Sequence, residues 1–173
     1  MIYIITGGID EGKTREIEAF YRLKKKGDGW ISRKVFINEE FAGYEIQRLS
    51  TNEKKPLAYK KEYVPPGWDE TYSIGPFCFS RRAFEFAGKI IDEIIEKNIN
   101  PVFIDEIGPL ELQGKGFCPM LEKILKTQKD VYIVVRSHCV DDVIKKFNIQ
   151  DYKILKISEK NKSPYSTGRS GPF

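Results

Sequence analysis

The sequence has few of the residues that hold structural metals or disulfide frameworks. Among its 173 residues there are three cysteines and one histidine. The cysteines, Cys78, Cys118 and Cys139, lie far apart and form no C-x-x-C pair. An odd number of scattered cysteines favours neither a zinc site nor a set of disulfides, and it predicts a reduced, cytoplasmic compartment.

Long apolar runs are also missing. No stretch approaches the roughly 18 consecutive apolar residues that a membrane-spanning helix needs, so we expect no membrane partner. The apolar start, MIYIITGG, has no basic residue and runs directly into a pair of glycines. We therefore interpret it as a strand before a loop rather than as a secretion signal.

An excess of charge of one sign occurs at one end only. The formal net charge is +4, and the residues from Lys153 onward account for all of it. Residues 159–173 are also rich in Gly, Ser and Pro, which predicts a flexible basic tail after a single domain of residues 1–158. Short basic clusters elsewhere are typical of solvated helix ends and loops, so nucleic acid is a candidate partner that the sequence does not support.

The sequence does contain an alternation of short apolar segments and amphipathic helical segments. Apolar, β-rich runs predict strands at 1–6, 101–106, 131–135 and 152–157. Helical spacing of apolar residues predicts helices over 13–26, 81–98, 117–128 and 140–147. Such alternation is typical of an α/β fold with a mostly parallel sheet and right-handed crossovers.

The segment of about residues 29–79 has a different pattern. Stretches such as GWISRKVFI, GYEIQRL and ETYSIGPF alternate apolar with polar residues and are separated by turn-forming residues. Period-2 alternation with turn signals indicates short, partly antiparallel strands. We therefore expect a β-rich insertion on one side of the parallel sheet.

One short stretch carries a specific chemical signature. Residues 7–14 read GGIDEGKT and fit the pattern G-x-x-x-x-G-K-S/T. Glycines let the backbone wrap so that consecutive N–H groups face phosphate oxygens, and the following helix adds its N-terminal donors. In this pattern, called the P-loop, the lysine contacts the β- and γ-phosphates and the threonine hydroxyl is a ligand of Mg²⁺. Lys13 and Thr14 take those two roles here.

The motif predicts nucleotide binding by the whole loop and the residue after it. Asp10 and Glu11 are unusual beside an anion, but we expect their side chains to face away while the backbone faces the phosphates. The predicted nucleotide-binding residues are Gly7, Gly8, Ile9, Asp10, Glu11, Gly12, Lys13, Thr14 and Arg15.

A second candidate segment, PVFIDEIGPLEL, spans residues 101–112. An apolar strand there leads to Asp105 and Glu106, and ligands of open α/β sheets lie at the carboxyl ends of strands. We expect Asp105 to lie beside the P-loop and bind Mg²⁺, and Glu106 to orient and deprotonate an attacking water. Arg136, which follows the strand VYIVV, is the candidate cation over the charge that develops during phosphoryl transfer.

These residues resemble a known family. TGGIDEGKT near the start, GWIS, GYEI and then IDEIGPLEL are similar to the P-loop nucleoside-triphosphatase family of thermophiles, which includes the cancer-related nucleoside-triphosphatase. The resemblance spans roughly residues 1–157. It implies a P-loop three-layer sandwich and slow, Mg²⁺-dependent hydrolysis of several nucleoside triphosphates. Carried over by position, Gly12, Lys13 and Thr14 bind phosphate and metal, Asp105 binds the metal and Glu106 acts on the water.

The sequence departs from that family in the loop. Arg15 stands where a second threonine is common, and adjacent acids such as Asp10 and Glu11 are seldom found. No Asn-Lys-x-Asp guanine motif occurs, which agrees with hydrolysis that does not depend on the base.

Three functions are compatible with a P-loop. The favoured prediction is a cytoplasmic triphosphatase that is a monomer or a weak oligomer. A nucleotide or small-molecule kinase is the first alternative, with residues 59–82 as a candidate lid, and a nucleotide-controlled binding module is the second. The Asp105-Glu106 pair favours hydrolysis, because a kinase needs no base that acts on water.

Overall fold

The structure, a computed structural model, describes residues 1–8 and 12–157. Its nine strands are β1 (Ile2–Thr6), β2 (Asp28–Ile37), β3 (Glu40–Arg48), β4 (Lys54–Lys60), β5 (Glu70–Ile74), β6 (Phe77–Ser80), β7 (Val102–Ile107), β8 (Val131–Val135) and β9 (Tyr152–Lys156). The helices are α1 (Lys13–Lys24), α2 (Arg81–Glu96), α3 (Pro109–Leu112), α4 (Cys118–Leu125) and α5 (Val140–Lys146). The four predicted helices and four predicted apolar strands are present, with ends shifted by no more than three residues.

All nine strands form one sheet in the order β5-β6-β4-β3-β2-β7-β8-β1-β9. The pairs β2–β7, β7–β8, β8–β1 and β1–β9 are parallel. The pairs β2–β3, β3–β4, β4–β6 and β6–β5 are antiparallel. The prediction of a mostly parallel sheet was therefore wrong, because half of the strand pairs are antiparallel.

The physical reason lies in the segment that was expected to be an insertion beside the sheet. Short turns join the antiparallel neighbours β2–β3, β3–β4 and β5–β6, whereas parallel neighbours need a long crossover. The first of these strands, β2, pairs through Asp28–Trp30 with β7 and through Trp30–Ile37 with β3. The β-rich segment thus continues the parallel sheet directly instead of packing next to it.

Helices cover both faces of the sheet and complete three layers. On one face, Ile17 of α1 packs against a cluster that includes Ile5, Phe103 and Tyr132. On the other face, α2, α3, α4 and α5 enclose a larger cluster around Trp30. The central strands alternate between the two clusters residue by residue, as buried strands covered on both sides do.

The junction between the two halves of the sheet depends on a glycine. Gly29 has a φ of 144°, and a Cβ placed on it would lie 1.8 Å from the carbonyl oxygen of Phe103. A side chain at this position would force β2 away from β7. The glycine therefore allows the approach that brings the following residues of β2, including Ser32, beside the end of β7.

A buried ion pair holds the start of β2 to the end of β3. Asp28 is almost completely buried, and its Oδ2 accepts hydrogen bonds from Arg48 Nε and Ser50 Oγ, each at 2.8 Å. Its Oδ1 accepts the backbone N–H of Gly29 at 2.8 Å. Glu93 of α2 contacts Arg48 at 3.0 Å, so the pair also attaches a helix to the sheet.

Replacing the cation of this pair should destabilise the fold strongly. Arg48→Ala leaves the Asp28 carboxylate buried without its counter-charge, which typically costs about 3–5 kcal/mol of unfolding free energy. The matched control is Arg22→Ala, because Arg22 is exposed and its pair with Glu18 on α1 should be worth less than about 1 kcal/mol. Denaturant unfolding of both variants measures the difference, and equal losses would contradict this account.

Two predictions fall on parts of the chain outside the described residues. They are the flexible tail at 159–173 and the loop positions Ile9, Asp10 and Glu11, and both stay predictions. Across residues 1–8 and 12–157, no helix combines the length and the apolar character that crossing a membrane requires.

Candidate active site

The candidate residues converge because of the strand order. Strand β8 lies between β1, which leads into the P-loop, and β7, which carries Asp105 and Glu106. The three strands are parallel, so their carboxyl ends lie at the same edge of the sheet. Arg136 follows β8 at that edge. The structure therefore brings the P-loop, the acidic pair and the arginine together, as the sequence predicted.

The described residues of the P-loop motif lie directly after β1 and at the start of α1. Gly12 is the last residue before α1 and has a φ of 88°, in the left-handed region that favours glycine. The Lys13 ammonium donates hydrogen bonds to the carbonyl oxygens of Gly7, at 3.2 Å, and Gly8. The cation thus lies within the loop at the helix N-terminus, where an anion is favoured. Arg15 is exposed on the first turn of α1.

Thr14 and Asp105, the two predicted metal ligands, are in direct contact although they are 91 residues apart in sequence. Thr14 Oγ1 donates to Asp105 Oδ2 at 2.8 Å. The same oxygen accepts the backbone N–H of Ser32 at 3.0 Å, and Oδ1 accepts that of Glu106, also at 3.0 Å. Three donors on three different elements therefore fix the carboxylate of Asp105.

The Asp105 carboxyl group is inaccessible to solvent. Burial, together with the charge of Glu106, raises its pKa from the ordinary value of 3.8 to about 7. The hydrogen bonds from Ser32 and Thr14 lower the pKa but do not compensate for the burial. A buried carboxylate in need of a counter-charge is suited to a cation.

This shift predicts a pH dependence of stability in metal-free protein. The folded state binds the Asp105 proton more tightly than the unfolded state, so the stabilising contribution is complete below pH about 4 and is lost as pH rises through about 7. Asp105→Asn removes this contribution. With a chelator present, the unfolding free energy of wild type minus that of the variant should fall between pH about 5 and pH about 8.

The control for that comparison is Asp92→Asn, which changes a carboxylate that is 61% exposed on α2. The difference in unfolding free energy between wild type and Asp92→Asn should not fall over this pH range. A difference between wild type and Asp105→Asn that stays constant over this range would contradict the raised pKa of Asp105.

Thr14 and Asp105 fit a magnesium site. Mg²⁺ prefers hard oxygen ligands and is held in many phosphate-binding sites by one or two carboxylates together with substrate oxygens. The buried Asp105 carboxylate and the adjacent Thr14 hydroxyl supply such oxygens at the mouth of the P-loop. The rest of the coordination sphere would come from phosphate and water.

Glu106 lies on an irregularity of β7. Between Ile104 and Ile107 the chain has one residue more than the facing part of β8, which forms a β-bulge. Glu106 has a φ of 67°, unusual for a residue other than glycine. Bulges and strained residues are common next to active sites, where they redirect side chains. The Glu106 carboxylate is 35% exposed and lies 3.7 Å from Nη2 of Arg136.

Glu111 supports the loop that follows Glu106. Its Oε2 accepts the backbone N–H of Gly108 at 2.9 Å, and its Oε1 accepts that of Phe117 at 3.0 Å. The residue is nearly buried, and burial raises the pKa of its carboxyl group. Because both oxygens are bonded to the backbone, Glu111 holds the Gly108 loop to the start of α4 and is not placed to act on water.

The supporting roles of two residues were not predicted from the sequence. Glu111 follows Gly108 by three residues, with Pro109 between them, a spacing typical of helix N-termini, so a capping pattern was available as a signal. Ser32 had no such signal. It joins the site through its backbone and through the pairing of β2 with β7, which no local pattern reveals.

Comparisons with known proteins agree with this architecture. The nucleoside-triphosphatase THEP1 of Thermotoga maritima is 26% identical over 163 residues, which cover 94% of this chain and 90% of the relative. The crystal structure of THEP1 from Aquifex aeolicus has a TM-score of 0.72 at 22% identity, covering 94% of this chain and 92% of that one.

The solution structure of a human cancer-related nucleoside triphosphatase has a TM-score of 0.65 at 18% identity, over 93% and 91% of the two chains. At such identities the two structures show a shared fold alone. A family model described as NTPase matches residues 2–166, which is most of the sequence. The resemblance found in the motifs is therefore confirmed, and the chain belongs to this NTPase family.

Proposed function

We propose that the protein hydrolyses nucleoside triphosphates to the diphosphate and phosphate, with Mg²⁺, slow turnover and little dependence on the base. The observation that carries the proposal is the 2.8 Å contact between Thr14 and Asp105, with Glu106 on the adjacent bulge. That contact joins the P-loop to the acidic pair. The P-loop motif, the buried Asp105 carboxylate and the accessible Glu106 carboxylate thus share one edge of the sheet, which supports roles in binding phosphate, metal and water.

Substrate binding would depend on the P-loop and α1. Backbone N–H groups of the loop and of the helix N-terminus would donate to the phosphate oxygens, with the favourable end of the helix dipole behind them. Lys13 would exchange its bonds to the carbonyl groups of Gly7 and Gly8 for the β- and γ-phosphates. These contacts are made to phosphates and not to a base, which supports broad base use.

Thr14 and Asp105 would hold Mg²⁺ beside the γ-phosphate. When bound, the ion neutralises charge on the β- and γ-phosphate oxygens during transfer. Asp105 would bind in its ionised form, because a metal ligand must be deprotonated. The bonds from Ser32 and Glu106 keep its oxygens oriented before the metal arrives.

Glu106 would act as the general base. A water molecule beside it gives a proton to the carboxylate as the water oxygen forms a bond to the γ-phosphorus. The bond from that phosphorus to the β-phosphate oxygen breaks, and the diphosphate takes the electron pair. Arg136, now paired with Glu106, would turn to the γ-phosphate to offset its charge.

Phosphate release tests the proposal. ATP, GTP, CTP and UTP are each supplied alone, with Mg²⁺ or with a chelator, and inorganic phosphate is measured. We expect slow release from all four with Mg²⁺ and none with the chelator. Release from a single triphosphate would contradict broad base use, and release in the chelator would contradict the role of the metal. No release from any of them would contradict the triphosphatase function itself.

A further inference from the structure

A cavity of about 300 Å³ lies next to Glu106, on the sheet face that α2, α3 and α4 cover. Glu106, Gly108 and Arg136 form its end at the candidate active site. Its walls extend over the antiparallel half of the sheet, where β3, β4 and β6 lie side by side. Cavities of this size that combine an apolar lining with a few polar groups are typical ligand sites.

The lining of the cavity suits a flat, apolar body. Aliphatic side chains and four phenylalanines line it. The phenylalanines, which come from β6, α2 and the loop before α4, are Phe77, Phe79, Phe84 and Phe117. Two of these rings, on Phe84 and Phe117, lie edge to face with centroids 5.2 Å apart. Aromatic walls bind planar rings by stacking and edge contacts, without preference for one substitution pattern.

Two polar groups of the lining, Ser32 and Arg136, favour an uncharged ligand that can form a hydrogen bond. Ser32 is 7% exposed, and its Oγ has no hydrogen-bond partner within residues 1–8 and 12–157. A buried hydroxyl without a partner costs free energy unless a ligand satisfies it. Arg136 is the one basic residue among the described residues of the lining, and it is paired with Glu106. A phosphate group on the ligand would therefore find no unpaired basic residue among the described residues of the lining.

The cavity meets the candidate active site where Glu106 would hold the attacking water. Its lining contains Glu106 and Arg136 but none of the described P-loop residues. In the proposed mechanism the attacking water lies beside Glu106, on the side of the γ-phosphorus opposite the leaving diphosphate. A molecule in the cavity would therefore approach the γ-phosphorus from the side opposite the leaving diphosphate, as in-line transfer requires.

We propose that this cavity binds an uncharged aromatic alcohol of nucleoside class as a phosphoryl acceptor that competes with water. The hydroxyl oxygen of the acceptor forms the bond to the γ-phosphorus, and its proton passes to Glu106. The bond from phosphorus to the β-phosphate oxygen breaks, and the diphosphate leaves with the electron pair. Ser32 Oγ hydrogen-bonds the bound acceptor. The inference rests on the proposed roles of the P-loop and Glu106.

The test follows labelled γ-phosphate from ATP with Mg²⁺ in the full chain. Adenosine, guanosine, cytidine, uridine and thymidine are added singly, and both inorganic phosphate and phosphorylated nucleoside are measured. We expect at least one nucleoside to become labelled. Release of phosphate from ATP alone is recorded in the same series, so failure of the triphosphatase proposal is distinguished from failure of this one.

A matched pair of variants locates the acceptor. Ile74, 42% exposed on β5, lines the cavity, and Ile154, 40% exposed on β9, lies at the other edge of the sheet. Ile74→Trp should fill the mouth of the cavity and lower nucleoside labelling by about tenfold or more, while Ile154→Trp should leave labelling within about twofold of wild type. Phosphate release from ATP alone should be unchanged in both variants.

Several results would overturn the proposal. One is phosphate release from ATP with no labelling of any nucleoside, and another is labelling that Ile74→Trp and Ile154→Trp affect equally. Nucleosides that slow phosphate release without becoming labelled would bind but not accept phosphate, which also overturns it. If neither phosphate nor labelled nucleoside forms, both this inference and the proposed function fail.

Discussion

Glu106→Gln should bind nucleoside triphosphate about as tightly as wild type and hydrolyse it about 10²–10⁴-fold more slowly, the range that a positioned general base contributes. The amide keeps the size of the carboxylate and can still accept a hydrogen bond, but it cannot take a proton from water at neutral pH. Asp105 keeps its three hydrogen-bond donors in the variant, because the bond from residue 106 comes from the backbone.

The structure makes this substitution a clean test of the chemistry. The Glu106 side chain is partly exposed, and its one described ionic contact is with Arg136 at 3.7 Å, so its removal should cost little stability. Glu96→Gln, on the exposed end of α2, is the matched control and should hydrolyse normally. Affinity and single-turnover hydrolysis are measured on the same preparation, which separates binding from the chemical step.

Two outcomes would contradict the assignment of Glu106. Hydrolysis within a few-fold of wild type would show that another group activates the water. A loss of affinity equal to the loss of turnover would show that Glu106 binds metal or supports the site, and the division of roles between Asp105 and Glu106 would be wrong.

Lys13→Ala should weaken triphosphate binding by about 10- to 100-fold, since hydrogen bonds to charged groups typically contribute about 1.5–3 kcal/mol. In the structure the ammonium donates to the loop carbonyl groups of Gly7 and Gly8, so the variant loses both a cation and a support of the loop. Hydrolysis at saturating triphosphate should fall as well, because in the proposed mechanism Lys13 would contact the phosphate that is transferred.

Titration of triphosphate into the folded variant measures the change. Lys26→Ala is the control, because Lys26 is an exposed lysine beyond the far end of the helix that Lys13 begins. Unchanged affinity together with unchanged turnover in Lys13→Ala would refute the assignment of the P-loop lysine. In Lys26→Ala we expect unchanged affinity and unchanged turnover, since the charge of Lys26 is distant from the site and screened by salt.

The sequence alone was sufficient to predict those parts of the candidate site that local patterns encode. The P-loop needs glycines at fixed spacing because the backbone itself binds phosphate, and a strand and a helix must flank it. Asp105 and Glu106 follow an apolar run, and the ends of such runs meet at one edge of a parallel sheet. The contact between Thr14 and Asp105 follows from these two facts, although the residues are far apart in sequence.

The tertiary structure determined those features of the sheet and of the site that depend on pairing between segments distant in sequence. An alternating pattern indicates a strand but does not say which distant segment it pairs with, so the sequence predicted antiparallel strands but not that they continue the parallel sheet. The bulge at Glu106 arises from its register against β8. Ser32 reaches Asp105 because Gly29 lets β2 approach β7, and the cavity beside Glu106 forms between elements that only packing brings together.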